Sequence, residues 1–123
     1  MMSKQNVVVD KSKAFAIRII RMYQWLSAEK REFVLSKQCL RSGTSIGANL
    51  CEGVNGQSTA DFIAKLHIAL KEANETSYWL ELMKETDYIT PEMYNSINTD
   101  CVELIKLITS IIKTTKQNNN YKL

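Results

Sequence analysis

Glu72 and Glu75 are the residues of this 123-residue chain best placed for chemistry. They stand three apart, and Trp79 follows four later, so a helix would carry all three on one face. Paired carboxylates do acid-base work when burial raises one of them. That work needs a pocket and a nucleophile, which the sequence does not display. The other reading is a salt bridge or hydrogen bond to a neighbouring helix, with Arg41 as the candidate partner. His67 is the single histidine, and Ala64 stands three residues before it. The Glu-x-x-His pairs of helical di-iron sites are therefore missing, and a His-Glu-x-x-His zinc motif is impossible. His67 reads as a surface or interface residue. Ser42, Thr44 and Ser45 have no Gly-x-Ser-x-Gly context, and no phosphate-binding loop of the Gly-x-x-x-x-Gly-Lys type occurs. Enzyme activity has no positive support, and no catalytic residue, metal or cofactor is expected.

The cysteines are Cys39, Cys51 and Cys101, with no Cys-x-x-Cys pair. On one helix Cys39 and Cys51 would lie roughly 18 Å apart, too far to bond. They read as reduced and mostly buried.

Charge supplies the one binding signal. Residues 1–41 hold nine Lys/Arg against three Asp/Glu, whereas residues 42–123 hold seven against ten. Lys11, Arg18, Arg21, Lys30, Lys37 and Arg41 would line one surface if the first two helices pack antiparallel. Such a face attracts nucleic acid through counterion release. It would equally suit the acidic half of a neighbouring subunit.

Helices must position these groups. The only proline is Pro91, and the four glycines fall within residues 43–56, so long helices with short turns are expected. Phe15, Ile19, Met22 and Leu26 make the apolar stripe of a first helix, residues 10–26. Ser27 is expected to end it and to cap a second helix, residues 28–53. Ser58 with Asp61 fits a capping box opening a third, residues 58–87. There Phe62, Leu66, Ala69, Ala73, Thr76, Leu80 and Met83 alternate by four and three. A second line on the same helix runs through Ile68, Glu72, Glu75, Trp79 and Leu82, implying contacts on two sides. Thr90-Pro91-Glu92 opens a fourth helix, residues 91–115, with Tyr94, Ile97, Cys101, Leu104, Ile108 and Ile111 as its stripe. The aperiodic tail, 116–123, is expected to fray. The result is a single all-α domain, an up-and-down antiparallel four-helix bundle. No apolar run approaches the roughly 20 residues of a membrane span, and no secretion signal is evident, so a cytoplasmic location is expected.

The second helix carries an unusual run, Arg41-Ser-Gly-Thr-Ser-Ile-Gly-Ala-Asn-Leu-Cys-Glu-Gly53. Glycine costs a helix about 1 kcal/mol relative to alanine. Gly43 and Gly47 share a line with Ser36, Leu40 and Leu50, so that line is expected to pack closely on a neighbour. Arg41, Ser45, Asn49 and Glu52, with no nucleophile-base pair or metal set among them, read as structural polar contacts that fix how helices meet.

Arg41-Ser42, Ser45-Ile46, Asn49, Glu52-Gly53, Ser58 and Phe62 reproduce the signature of a bacterial family, and Ile68-Ala69 and Glu72 to Glu75 extend it. On these residues the chain resembles the 23S rRNA-intervening sequence proteins, which are related to the accessory proteins of diversity-generating retroelements. Gly47 departs from the pattern, since many members carry proline there; the turn at Val54-Asn55-Gly56 lacks their basic residue. The resemblance implies a four-helix bundle assembled as a homopentamer, without catalytic residues. It leaves two roles in view. One is binding of RNA or a ribonucleoprotein, or a nucleic-acid-processing protein, through the basic surface. The other is a structural or protein-interaction module that binds no nucleic acid.

Overall fold

A computed structural model of the chain describes residues 4–118. It contains four helices and, among the described residues, no strand: α1 Lys4–Glu29, α2 Leu35–Val54, α3 Thr59–Glu85 and α4 Pro91–Asn118. Each helix packs on the one before it, and α4 returns to α1. The diagonal pairs, α1 with α3 and α2 with α4, bring no Cα atoms within 8 Å of each other.

Every neighbouring pair runs antiparallel. Along the α1/α4 seam Lys11 reaches Glu103, while Arg18, further up α1, reaches Asp100 and Ser96, further back on α4. Between α2 and α3 the partners are Arg41 with Glu75 and Glu52 with Lys65. The turns are short because consecutive helices need only reverse direction.

The stripes read from the sequence are the core. All seven residues of the α3 line are buried, with Ile63 in addition. On α4, Ile97, Cys101, Leu104, Ile108 and Ile111 are buried with Ile112, and Tyr94 packs against them from the side. From α1 come Phe15, Ile19, Met22 and Leu26, and also Val8. Burying an aliphatic or aromatic side chain of this size contributes about 1.5–3 kcal/mol, which outweighs the weak helix propensity of the isoleucines.

Two ends form as their sequences predict. Ser58, in extended conformation, accepts from the Asp61 backbone N–H at 3.1 Å. Thr90 accepts from Met93 N–H at 3.1 Å, with Pro91 in the first turn.

The first boundary differs. α1 neither begins at residue 10 nor ends at Leu26; it runs from Lys4 through Glu29. Ser27 lies inside it and caps nothing: its buried hydroxyl has no partner among the described residues. Residues 30–34 form the connection, and α2 begins at Leu35 rather than near residue 28. Glu32 takes the capping role. Its carboxylate accepts from the backbone N–H groups of Val34 and Leu35 at 3.0 Å and of Ser36 at 2.7 Å. The Ser36 hydroxyl donates back to the Glu32 carbonyl at 2.9 Å. Arg31, at φ 55°, holds the left-handed conformation that turns the chain, and Glu32 N–H then folds back on the Leu26 carbonyl. Asp87, at φ 67°, ends α3 in the same way: Asp87 N–H bonds the Lys84 carbonyl and Tyr88 N–H that of Met83. At the other end of the chain α4 continues past residue 115 to Asn118, so 116–118 are helical; residues 119–123 of the expected frayed tail lie outside the described residues.

Candidate interaction site along the second and third helices

α2 meets α1 and α3 in different ways, and its signature run supplies both. A Cβ placed on Gly43 would lie 2.9 Å from Cγ1 of Ile19, and one on Gly47 would lie 3.0 Å from the Ser12 hydroxyl. The glycine line therefore brings α2 close against α1. Gly53 does the same against α3, with a Cβ there 3.1 Å from that of Lys65.

Toward α3 the contacts are polar. In the core the Thr76 hydroxyl donates to Ser42 at 2.8 Å, and Ser42 donates onward to the Cys39 carbonyl at 3.3 Å. Both side chains are fully buried, so leaving either hydroxyl unpaired would cost about 1–3 kcal/mol. Above this pair Arg41 bridges to two carboxylates, Glu72 at 3.0 Å and Glu75. Glu75 also accepts from the Trp79 indole N–H at 3.0 Å. That indole, opposed by burial and aided by Arg41, holds the Glu75 carboxyl below 4.5. The Glu75 hydrogen bond first, and Glu72 after it, raise the Arg41 guanidinium further. Trp79 in turn meets the Tyr78 ring edge-on, centroids 5.3 Å apart. Arg41, Glu75, Trp79 and Tyr78 thus form one connected set, ending in an aromatic ring that is 54% exposed.

The other polar residues of the signature do not all join helices. Ser45 donates to the Arg41 carbonyl and Asn49 to the Ser45 carbonyl, both within α2. Of that group only Arg41 and Glu52 cross to α3, Glu52 through Lys65 at 2.8 Å. The small, half-buried Ser45 and Asn49 keep this flank of α2 low instead.

The basic residues do not line one surface. Lys11 and Arg18 lie along the α1/α4 seam, where they pair with Glu103 and Asp100. Arg21 borders the same seam and bonds the Gln24 amide oxygen at 3.4 Å. Arg41 faces α3 on the opposite side of the bundle. Lys30 stands at the end of α1, over the Trp25 ring at 5.6 Å, and Lys37 is exposed on the first turns of α2. Packing α1 against α2 through the glycine line sends their basic stripes to opposite seams. Three of the six cations then meet carboxylates of the same chain.

His67 is exposed. Cys39 and Cys101 are buried, and burial pushes both thiols up to about 12. They stand on diagonal helices, so their Cα atoms are more than 8 Å apart, beyond disulfide reach. Cys51 is exposed rather than buried. Among the described residues no helix is long and apolar enough to cross a membrane, and no group of three metal-ligating side chains gathers. Sequence reading passed over Glu32, the Ser42–Thr76 pair and Tyr78. The one available signal for the cap was Glu32 standing four residues before Ser36, ahead of the helical pattern.

The fold and this seam define an all-α helical bundle in which Arg41, Ser42 and Glu52 join α2 to α3 and several large apolar side chains are left facing solvent. Residues 4–110 match the family of 23S rRNA-intervening sequence proteins, and the chain belongs to that family. A solved structure from Bacteroides thetaiotaomicron, a protein of unknown function from the S23 ribosomal protein family, is 63% identical and superposes with a TM-score of 0.89. The match covers 90% of this chain and 99% of that one. No curated protein matches.

Proposed function

We propose that this chain is a non-enzymatic interaction module that works by assembling with copies of itself. The carrying observation is where large apolar side chains meet solvent. Ile17 and Ile20 do so on α1 and Ile68 and Tyr78 on α3, at 39–54% exposure; Phe33 and Val34 in the α1–α2 connection and Val54 at the end of α2 do so at one pole or the other, and among the described residues none does along α4. Apolar faces on two diagonal helices give each copy two places to bury surface. The paired cations support the same reading, because Lys11, Arg18 and Arg41 are already engaged within the chain. Glu72 and Glu75 are likewise held by Arg41, which suits a structural role better than acid-base work. Family resemblance sets the expected assembly at five copies, and the location proposed for it is the cytoplasm.

Native mass spectrometry across a salt series tests this. A defined multimer that persists at high salt, because apolar burial is not screened, and that purifies free of nucleic acid is the expected result; a monomer at all concentrations would sink the proposal.

A second reading keeps RNA as the partner. It rests on Lys30, Arg31 and Lys37 at the α1–α2 turn, which have no carboxylate within salt-bridge range among the described residues. It predicts RNA affinity that falls linearly with log salt and drops when the charges of Lys30 and Lys37 are reversed.

A further inference from the structure

The seam between α1 and α4 is not flush. It leaves an open groove of about 650 Å³. Ile17, Met22, Met93 and Ile97 give it apolar walls, and Arg21 and Glu92 stand on its rim. Arg18 is held back along α4 by Asp100 at 2.7 Å. Across the bundle, α3 presents the reverse shape. Tyr78 projects from it, supported edge-on by Trp79, which Glu75 and Arg41 fix in turn.

We propose that the Tyr78 ring of one copy seats in the α1/α4 groove of the next. This rests on the self-assembly reading and names its contact. The chemistry of knob and groove agrees. Two methionine sulfurs suit an aromatic ring, the Arg21 guanidinium suits its face, and the Glu92 carboxylate accepts from its hydroxyl. The flanking charges agree too. Lys13 and Arg21, beside Ile17 and Ile20, have no carboxylate partner among the described residues, and Glu81, one turn beyond Tyr78, has no cation. Lys71, the cation on the outer line of α3, acts on Glu75, whose carboxyl it helps to hold down. Knob and groove lie on different faces of one molecule, so the contact cannot be two-fold. It repeats head to tail, and a ring closes it.

Two surface variants test this without touching the core. Tyr78→Ala removes the knob, and Ile17→Glu places a charge in the groove. Each is expected to keep its helical circular dichroism and a cooperative melt, at the midpoint the parent shows when diluted below its assembly range. Alone, each is expected to need at least about tenfold more protein than the parent to assemble, since a single good face of each molecule finds no mate. Mixed, the intact groove of Tyr78→Ala accepts the intact knob of Ile17→Glu, giving one-to-one heterodimers by native mass spectrometry. Variants that assemble as the parent does would overturn the knob and groove while leaving self-assembly standing. So would mixed variants that stay apart. A parent that is itself monomeric would overturn both.

Discussion

Toward α1, the middle of α2 presents Gly43 and Gly47; toward α3 it presents Arg41, Ser42 and Glu52, with Gly53 approaching closely only at its last turn. The first seam is held by backbone approach: the space a Cβ would need at Gly43 is filled by Ile19. The second is held by paired polar groups, some buried, as Ser42 and Thr76 are, and some half exposed, as in the bridges from Arg41. One helix thus separates two tasks. The close seam has no tolerance for added volume, whereas the polar seam selects a register, because its donors and acceptors meet in one alignment only.

The contrast breaks most sharply at Gly43. Gly43→Leu should cost about 3 kcal/mol, since overpacking forces Ile19 and the backbone to shift, and the urea midpoint should fall accordingly. Shortening the opposing side chain with Ile19→Ala should then hurt the leucine variant less than the parent. Equal losses in both backgrounds would mean that the two residues do not compete for one space. On the polar side Thr76→Val keeps the shape and removes the donor to Ser42; a loss of about 1 kcal/mol is expected.

Glu32 sits at the turn feeding the close seam. Burial would raise its carboxyl, but the N–H groups of Ser36, Leu35 and Val34, with the Ser36 hydroxyl, prevail and hold it below 4.5. A carboxyl depressed in the folded state adds stability that is present above its unfolded value and is lost as pH falls through the folded one. Denaturant midpoints should therefore fall on acidification below about 4.5. Glu32→Gln should lower stability at neutral pH by about 1 kcal/mol and flatten that acid slope; an unchanged slope would remove Glu32 from the account. The smallest effect belongs to Arg41, which is half exposed. Arg41→Gln should cost under about 1 kcal/mol and less still in high salt, while Trp79 fluorescence shifts as Glu75 is released.

Much of this was legible in sequence because period is a strong signal. The α3 line from Phe62 to Met83 alternates by four and three without a break, and all of it is buried. Arg41 was readable as a partner for Glu72 and Glu75 because all three are polar residues on otherwise packed helices. The α1–α2 boundary was not readable. Ser27-Ala-Glu imitates a helix start, and the only local hint that a glutamate further on will reach three backbone N–H groups is Glu32 standing four residues before Ser36. The basic residues misled for a related reason. Each stripe lies on a helical face, but which seam a face enters depends on how α1 turns about the glycine line, and that rotation is a tertiary property. Tyr78 was invisible because it sits beside the periodic line rather than on it.

The first turn of α1 and the last of α4 finish side by side, with Gln5 and Asn118 bordering one hollow. The opposite pole holds the α1–α2 and α3–α4 turns. Joining residues 4 and 118 by a short flexible linker and opening the chain at Arg31 should preserve every helix pairing, because no seam depends on which turn is continuous. Such a permuted molecule would also relieve Arg31 of its left-handed conformation. In a head-to-tail ring, the original and the permuted chains would send their termini to opposite rims, a direct way to choose which rim carries an attached label.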